Sequence, residues 1–575
     1  MAPTVAVLGG GVAGLSAAHE LVERGFDVGV YEARELFGGK ARSFGVPGSG
    51  SGGRADLPAE HGFRFFPGFY RHLPDTMRRI PYIGRADGVA GNLVHATRAL
   101  LAQAGGGNEL IGVVRAPGSL EDISAVSRFL LGWATQVGIP AYEHALFVER
   151  LLTLLTSCDE RRIEQWEQQS WWEFSGADRR SAAYGKFLAD GLTRTLVAAR
   201  AREMSARTGG LILLQLLFDL TRAGGRADRV LNAPTQEAWI TPWIDHLQRR
   251  GVQLHAGAAV AGIEYANGRI AGVTVDRSGG AVERVSADFY VAALPVEQLR
   301  LLVTPELRRA EPALARLDRL VTRWMNGIMF YLDRDVPLVH GHAIYIDSEW
   351  ALTSISQAQF WGERDLERYG DERVEGIFSV DVSEWERPGR RTGKVAAKCT
   401  PEEIRSEVWG QLQDHLNDGP TPVLADQNLM SWFLDPAIEF PNPTGATNLE
   451  PLLVNTAGSW ADRPEARTRI ANLFLASDFV RTHTDLATME GANEAARRAV
   501  NAILAASGSP ASMCNVWKLR EPVIFAPARA VDRLRWRLFR RPVKPPLRVA
   551  PDGGVEPRGP VAAAMTAVAR RAARR

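Results

Sequence analysis

The order of apolar and polar positions at the start of the chain predicts one βαβ unit. Residues 4–8 form a short apolar run with β-branched members, and a glycine cluster follows at 9–14. Residues 15–24 carry apolar side chains at helical spacing, and an apolar run at 26–31 predicts a second strand. Gly25 lies where a helix commonly ends. Because glycines fill the centre of this segment and no basic residue precedes them, we predict a buried strand and helix here and not a signal peptide.

Helical and strand patterns alternate along the rest of the chain. Amphipathic spacing predicts a mostly helical region from 90 to 230, with helices at 120–137 and 145–156. Further predicted helices cover residues 242–250 and 489–504. Short apolar runs predict strands at 252–254, 260–263, 270–275, 289–295 and 472–476, and strands mixed with aromatic-rich loops at 320–435. Alternating strands and helices are typical of an α/β fold.

Length and composition are those of an ordinary globular protein with more than one packed unit. The chain has 575 residues, 45% of them hydrophobic and 23% charged. No apolar run is long enough to span a bilayer, so we predict no transmembrane helix. The three cysteines lie far apart, which suits a reducing compartment and predicts a cytoplasmic protein. We predict no metal site.

The glycine turn has the spacing of a dinucleotide-binding motif. Gly9 makes the tight turn, Gly11 lets backbone approach a pyrophosphate, and Gly14 allows close packing of the helix on the strand. The helix N-terminus then presents free N–H groups to the phosphates. Glu32 ends the second strand, 18 residues after Gly14, where a carboxylate accepts hydrogen bonds from a ribose. The alternative is a glycine turn in an unrelated α/β domain.

A second glycine motif decides which dinucleotide is expected. Gly38 and Gly39 bring another stretch of backbone towards the first turn, and Arg42 is placed to pair with a pyrophosphate. The segment 38–42, Gly-Gly-Lys-Ala-Arg, resembles the flavin amine oxidase and phytoene desaturase superfamily. That resemblance implies FAD as cofactor, held by a Rossmann-like domain of the glutathione reductase type with an inserted mixed, largely helical substrate domain.

The resemblance continues near the end of the chain. A strand at 472–476 leads to Asp478, which in the family contacts the ribityl and pyrophosphate region. The helix that begins at Met489 would direct its N-terminal amides at the flavin, and its dipole would stabilise negative charge there. Val260 lies in a strand that in the family passes beneath the adenine. Ser477 stands where the family usually has glycine, the one departure from the motif in this segment.

The predicted site and domains follow from these segments. We predict an FAD-binding domain at 1–80, 230–300 and 450–507, a substrate-binding domain at 81–229 and 301–449, and a basic tail at 508–575. The residues predicted to bind FAD are Gly9, Gly11, Val12, Ala13, Gly14, Glu32, Ala33, Gly39, Lys40, Ala41, Arg42, Phe63, Arg64, Val260, Asp478, Thr488, Met489 and Ala492.

Within the superfamily the chain is most similar to phytoene desaturase-like enzymes and hydroxysqualene dehydroxylases. The segments that carry this similarity are 59–67, 159–162, 170–172, 192–194, 233–235, 242–243, 342–361 and 484–491. The resemblance implies a desaturase or dehydrogenase that transfers hydride from a lipophilic, isoprenoid-like substrate to flavin. Aromatic clusters at 63–69, 166–174 and 350–361 suit such a substrate, although core packing explains them equally well. The alternatives are an amine oxidase, a flavoprotein without turnover, and a specialised-metabolism enzyme, including one with net non-redox use of FAD.

Candidate acid–base groups lie in the segment that runs beside the flavin in these relatives. The candidates are Glu60, His61 and Arg64, of which His61 and Arg64 are the predicted catalytic residues, and a structural role for His61 is equally compatible with the sequence. Because no second glycine motif follows a strand, no NADPH domain is expected, and oxygen or a quinone is the predicted electron acceptor.

The tail differs in charge from the rest of the chain. Residues 517–575 contain fifteen Lys or Arg against four Asp or Glu, a net charge of +11, which leaves the remainder at −9. Basic helices are predicted at 529–539 and 565–575, with irregular chain at 542–560. The tail has no fold for base recognition, so no nucleic acid is expected. Arginines interleaved with apolar residues over 533–541 suggest a peripheral membrane contact, and a solvated tail is the alternative.

Overall fold

A parallel five-stranded sheet carries the glycine turn. The computed structural model describes residues 2–106, 109–111, 120–191, 199–220, 228–362, 366–442, 445–540 and 547–558. In spatial order the strands of this sheet are Gln253–His255, Asp27–Tyr31, Thr4–Leu8, Phe289–Ala292 and Leu473–Leu475. Every neighbouring pair is parallel. The predicted βαβ unit and α/β class are thus confirmed, and the sheet gathers strands from both ends of the chain.

Two long helices cover one face of this sheet and pack on each other. The helix Val12–Val22 begins within the glycine turn, earlier than predicted, because Gly11 acts as its N-cap. A Cβ added to Gly14 would lie 1.9 Å from the carbonyl oxygen of Gly9, so this position admits only glycine. The second helix, Met489–Ser507, donates from Asn493 Nδ2 to Ser16 Oγ at 2.8 Å.

A seven-stranded sheet forms the centre of the other half. Its strands, in spatial order, are Leu429–Leu434, Asn326–Leu332, Gly376–Val382, Leu352–Ser356, Ala343–Tyr345, Ala99–Ala102 and Glu109–Ile111. The helix Pro401–Leu416 packs on one face, and a capping box between Thr400 and Glu403 fixes its start. The opposite face is turned towards the interior of the molecule.

Helices between residues 120 and 220 form the layer beside that sheet. Those of the described chain are Leu120–Gln136, Ala141–Thr156, Asp159–Glu164, Trp171–Ser175 and Ala206–Leu220, with a π-helix at Tyr184–Gly191. The prediction of a mostly helical 90–230 misses the strands Leu93–Ala96, Ala99–Ala102, Glu109–Ile111 and Asp228–Leu231. Ala99–Ala102 pairs with residues 343–345, so distant pairing outweighs the local pattern. The motif at 192–194 lies outside the described residues.

The remaining elements connect these layers. Further helices are His72–Arg79, Thr241–Arg249, Val296–Leu302, Pro305–Ala310 and Pro312–Ala315, with a π-helix at Gln236–Ile240. Two smaller sheets have three strands each, one with Ala258–Ala266, Arg269–Arg277 and Val282–Val285 and the other with Phe65–Pro67, Asp228–Leu231 and Leu93–Ala96. Three strand pairs complete this part of the fold. They are Ser43–Gly45 with Pro58–Glu60, Val321–Arg323 with Leu452–Val454, and Ile438–Asn442 with Gly445–Asn448.

The C-terminal segment packs on the helical layer. Its helix Ala526–Phe539 buries Ala528, Asp532 and Trp536, which recur every four residues on one face. Residues 542–560 were predicted to be irregular, but Leu547–Val549 and Val555–Pro557 form an antiparallel hairpin against the helices at 120–156. Arg541 and the helix predicted at 565–575 lie outside the described residues.

We find no helix in the described part of the chain with the length and apolar character needed to cross a membrane.

Candidate functional site

A single cavity of about 860 Å³ is lined by almost all of the predicted site residues. It runs from the glycine turn of the parallel sheet to the helical layer beside the seven-stranded sheet. The predicted residues that line it are Gly9, Gly11, Val12, Ala13, Glu32, Ala33, Gly39, Lys40, Ala41, His61, Phe63, Arg64, Val260, Asp478, Thr488, Met489 and Ala492. Gly14 and Arg42 are the predicted residues that do not line it.

Two glycine segments, at 9–11 and 38–39, meet at one end of the cavity. Gly9 has a φ of 107°, in the region that favours glycine, and Gly11 forms a parallel bridge with Gly38. A Cβ added to Gly39 would lie 3.0 Å from the Cα of Gly11, so side chains are excluded where the two stretches approach. The first turns of helix Val12–Val22 open onto the same place. This groove has the shape and the N–H groups that a pyrophosphate requires.

Glu32 lies beside the groove, at the carboxyl end of its strand. One carboxylate oxygen accepts a hydrogen bond from the Gly10 N–H at 2.8 Å, and the other accepts from the Arg34 N–H at 3.0 Å. The side chain is buried and lines the cavity. Two backbone donors thus hold the carboxylate in place at the cavity wall.

The N-terminus of helix Met489–Ser507 forms the opposite wall. Thr488 caps it, since Oγ1 of Thr488 accepts from the Gly491 N–H at 3.1 Å. Glu490 points away from the cavity and accepts from the backbone N–H groups of residues 71–73 at 2.6–2.9 Å. The acidic side chain of the first turn therefore leaves the positive end of the helix free to act on a ligand.

These residues fit a flavin dinucleotide. A side-chain-free groove, a fixed carboxylate and two helix N-termini converge on one cavity, as a pyrophosphate, a ribose and an electron-accepting ring require. Gly14 contributes through close packing of helix on strand. Arg42 is engaged elsewhere, because its Nη1 lies 2.9 Å from the Glu450 carboxylate and donates to the Gly39 carbonyl. Its contact with a pyrophosphate stays a prediction.

His61 belongs to a buried charged network. Its Nδ1 lies 2.6 Å from Asp435 and 3.5 Å from Glu450. Burial alone would raise the pKa of Asp435, but the contacts with His61 and Asn326 outweigh it and hold the pKa below its usual range. Arg42 and His61 likewise lower the pKa of Glu450 against the effect of burial. This arrangement ties His61 to ionised carboxylates.

Arg64 joins the two segments that flank the groove. Its guanidinium donates to the carbonyl oxygens of Lys40 and Ala41, the second at 3.3 Å. Phe63 and Phe65 are the neighbours of Arg64 in the chain, and both rings contact His342, with centroids 5.3 and 4.2 Å apart. The segment predicted to lie beside a flavin thus lines the middle of the cavity with two aromatic rings and a guanidinium.

Asp381 is a lining residue that the sequence analysis missed. It lies in the strand Gly376–Val382, is buried, and accepts from the Phe63 N–H at 3.3 Å. Burial raises the pKa of the Asp381 carboxyl to about 7, although the charge of Arg64 opposes the shift. In the sequence, Asp381 is the single acidic residue of the apolar run 376–382, and this feature could have marked it as a candidate site residue. Other polar lining residues missed from the sequence are Asp228, His342, Thr353 and Ser383.

Beyond Asp381 the cavity continues as an apolar arm. It passes between the helices Leu120–Gln136, Ala141–Thr156 and Ala206–Leu220 and the seven-stranded sheet. The residues that line this arm are Ala99, Leu101, Val126, Phe129, Leu130, Trp133, Phe147, Leu216, Leu217 and Ile344. Such a lining binds molecules through burial of apolar surface.

Comparison with known proteins identifies the family. A model of the family "Flavin containing amine oxidoreductase" matches residues 12–504. The chain belongs to this family. As a flavin containing amine oxidoreductase it is a flavin-dependent oxidoreductase, and the resemblance expected from the glycine motifs is confirmed.

Curated relatives of this flavin oxidoreductase include carotenoid desaturases. A probable zeta-carotene desaturase of Synechococcus elongatus is 25% identical over 532 residues, which cover 87% of this chain and 98% of the relative. A 15-cis-phytoene desaturase of the same organism is 24% identical over 521 residues, covering 87% of this chain and 96% of that protein.

Solved structures share the fold. A putrescine oxidase bound to putrescine superposes with a TM-score of 0.56 at 14% identity, covering 88% of this chain and 99% of the other. The cyclohexylamine oxidase of Brevibacterium oxydans superposes with a TM-score of 0.55 at 14% identity, covering 88% of this chain and 99% of the other. The expected α/β fold, a Rossmann-like domain with an inserted mixed, largely helical domain, is thereby confirmed.

Proposed function

We propose that the protein is an FAD-dependent desaturase or dehydrogenase that acts on a lipophilic, isoprenoid-like substrate. The observation that carries this proposal is the apolar arm, which continues the nucleotide-binding groove as one cavity. Carotenoid desaturases, whose named substrates are long hydrocarbons, match over most of this chain and support the same substrate class. FAD is the flavin that fits, because Glu32 and the glycine groove suit an adenosine and a pyrophosphate.

Different residues of the chain bind the cofactor, orient the substrate and supply charge in this proposal. A bound flavin supplies a two-electron oxidant, and the groove and the helix N-termini hold it. Phe63 and Phe65 line the cavity between the groove and the arm and would give a bound substrate apolar walls there. The arm excludes water from a hydrocarbon substrate and orients it along the cavity. Arg64 and His61, which line the same cavity, would supply charge beside a bound flavin, and His61 is held in place by Asp435.

Visible absorption spectroscopy tests this function. The purified protein is reconstituted with FAD and mixed anaerobically with 15-cis-phytoene, zeta-carotene or putrescine. We expect the flavin band to bleach with one of the two isoprenoids and to persist with the amine. Bleaching by putrescine alone would move the protein to amine oxidation, and no FAD binding would refute the proposal. Product formation without bleaching would indicate a net non-redox use of FAD.

The electrons leave to oxygen or a quinone in this proposal. The described residues include no second glycine motif after a strand that would hold NADPH. Stopped-flow reoxidation of the reduced holoenzyme by air-saturated buffer and by a soluble quinone distinguishes the two acceptors. Reoxidation of the reduced holoenzyme by NADP⁺ at a comparable rate would contradict the proposal that oxygen or a quinone is the electron acceptor.

We further propose that the protein binds an anionic membrane surface through the helix Ala526–Phe539. Trp536 was predicted to take part, but it is buried against residues 159–164, with the Arg161 guanidinium 4.4 Å from its ring centroid. The outward face instead presents Leu534, Leu538 and Phe539, each at least 61% exposed. Arginines border these apolar residues, a combination typical of helices that lie on anionic lipid.

Vesicle sedimentation tests the membrane contact. Full-length protein is expected to sediment with vesicles containing phosphatidylserine and less with phosphatidylcholine alone. The double variant Leu534→Ser, Leu538→Ser should lose this binding, whereas Ile83→Ser, at a residue 98% exposed elsewhere, should keep it. Equal sedimentation of all three proteins would rule out this helix as the contact.

A further inference from the structure

A row of side chains on the cavity face of the seven-stranded sheet leads from the apolar arm to Asp381. Leu101 pairs with Ile344, Ile344 with Thr353, and Thr353 with Asp381 on successive strands. Residues directly opposite one another on neighbouring strands lie on the same face. All four line the cavity, so its wall changes from apolar to polar along this row.

Asp381 lies where the arm meets the segment 61–64. The Phe63 N–H donates to Oδ1 of Asp381 at 3.3 Å, and a Cβ added to Gly62 would lie 2.5 Å from the same oxygen. Gly327 pairs with Asp381 on the next strand, and a Cβ there would lie 2.9 Å from the Cα of Gly62. The absence of side chains at both glycines lets the segment lie directly on the sheet. The carboxyl therefore stands at the junction of the two halves of the cavity.

The charged groups around Asp381 allow it to change protonation state near neutral pH. Burial and the charges of Glu60 and Asp435 favour its neutral form, whereas Arg64 favours the ionised form. The result is a carboxyl whose pKa is raised to about 7. A proton acceptor works best when its pKa lies near the working pH. A guanidinium offers hydrogen-bond donors and no acceptor, so Arg64 does not suit the role of proton acceptor, and the Nδ1 of His61 already lies 2.6 Å from Asp435.

We propose that Asp381 is a catalytic residue, the carboxylate that accepts the proton lost by the substrate. This inference rests on the proposed desaturase function. Two C–H bonds on neighbouring carbons break and one C=C bond forms. One hydrogen leaves with its electron pair, as hydride, to the flavin as two-electron oxidant. The other leaves as a proton to an Oδ of Asp381, and the electron pair of its bond becomes the new π bond.

Three variants of the holoenzyme test this assignment. Asp381→Asn keeps the shape and the acceptor for the Phe63 N–H but cannot take up a proton. Asp381→Glu keeps the carboxyl, and Ser379→Ala is a matched control on the same strand and face, at a buried residue outside the cavity lining. FAD affinity is measured first for each variant. Anaerobic bleaching with 15-cis-phytoene and zeta-carotene then gives the rate as a function of pH.

The inference predicts a distinct result for each variant. In the wild type and Ser379→Ala the bleaching rate should rise as pH increases through about 7, because the acceptor must be ionised. In Asp381→Asn the rate should fall about 10²-fold or more, with a flat pH profile and unchanged FAD affinity. Asp381→Glu should recover part of the rate. An Asp381→Asn variant with the rate and profile of the wild type would overturn the assignment.

A second readout needs no substrate. Infrared difference spectra of the holoenzyme between pH 5 and pH 9 report the carbonyl stretch of any protonated carboxyl that ionises. We expect one such band in the wild type and Ser379→Ala that is missing from Asp381→Asn. If the wild type bleaches with neither isoprenoid, the proposed function fails, while this band still supports a proton-exchanging Asp381. An identical set of bands in all proteins would overturn the inference whatever the substrate.

Discussion

The two halves of the cavity are built in different ways. The nucleotide half consists mainly of backbone, in which glycines at 9–14 and 38–39 approach one another and helix N-termini point inwards. The apolar half consists of side chains from three helices and a sheet whose strands are hundreds of residues apart. Backbone recognition tolerates almost no added atom, whereas a side-chain wall changes its shape with each substitution. Substitutions of the closely packed glycines should therefore abolish FAD binding, whereas substitutions in the apolar half should change substrate affinity.

The largest expected effect is that of Gly14→Ala in the nucleotide half. The new Cβ would lie 1.9 Å from the Gly9 carbonyl oxygen and force helix and strand apart. We expect a loss of about 3 kcal/mol or more in the free energy of unfolding and no bound FAD. Gly132→Ala is the control, since no described atom lies within 4 Å of a Cβ there. That helical variant should gain up to about 1 kcal/mol. Normal FAD content in Gly14→Ala would contradict the conclusion that FAD binding needs the close contact between Gly14 and the Gly9 backbone.

The second prediction concerns the pH dependence of stability at the junction of the two halves, where Asp381 lies. The folded-state pKa of Asp381 is raised to about 7, so its stabilising contribution is complete below its unfolded pKa and disappears as pH rises through 7. Asp381→Asn should therefore gain stability relative to the wild type between pH 5 and 8, by roughly 2–4 kcal/mol. Denaturant unfolding at several pH values measures this.

Asp435 provides a control with the opposite sign. Its pKa is lowered in the folded state, so it stabilises the protein above its unfolded pKa, and this contribution is lost as pH falls. Asp435→Asn should therefore lose stability at neutral pH and approach the wild type in acid. Parallel pH profiles for both variants would contradict the distinction between the two buried carboxyls.

The third prediction returns to the nucleotide half. Both carboxylate oxygens of Glu32 accept a hydrogen bond from a backbone N–H. In Glu32→Gln the side-chain NH2 group would replace one of these oxygens and face an N–H donor, so one hydrogen bond would be lost. We expect FAD to bind about 10- to 100-fold more weakly, a loss of about 1.4–2.8 kcal/mol. Fluorescence titration of the apoprotein with FAD measures this, and Glu35→Gln, at a nearby exposed carboxylate, should leave the affinity unchanged.

The smallest effect is expected from Leu130→Ala in the arm. Loss of apolar contact should raise KM for an isoprenoid about 5- to 30-fold, or about 1–2 kcal/mol, without changing FAD affinity. Leu131→Ala removes the same atoms from the next residue, which is half-buried outside the lining. Steady-state kinetics of both variants test the proposal, and equal KM values would show that the arm does not hold the substrate.

The sequence was sufficient for features that depend on local spacing. Glycines at 9 and 11, Glu32 after the second strand and the helix at 489 lie within or next to short elements, and the structure places them around one cavity, while Gly14 packs against Gly9. Helix and strand periods are set by neighbouring residues, so an isolated sequence reveals them. The same holds for the boundaries of the helices at 120–136 and 241–249.

Tertiary structure alone decided which distant groups meet. Arg42 pairs with Glu450, Trp536 is buried against residues 159–164, and strands replace the predicted helix near residue 100. Asp381 reaches the cavity only because Gly62 and Gly327 let two segments pack closely. Its raised pKa is a property of the burial and charges created by that contact. Such pairings depend on long-range packing, which the order of residues in any one segment does not encode.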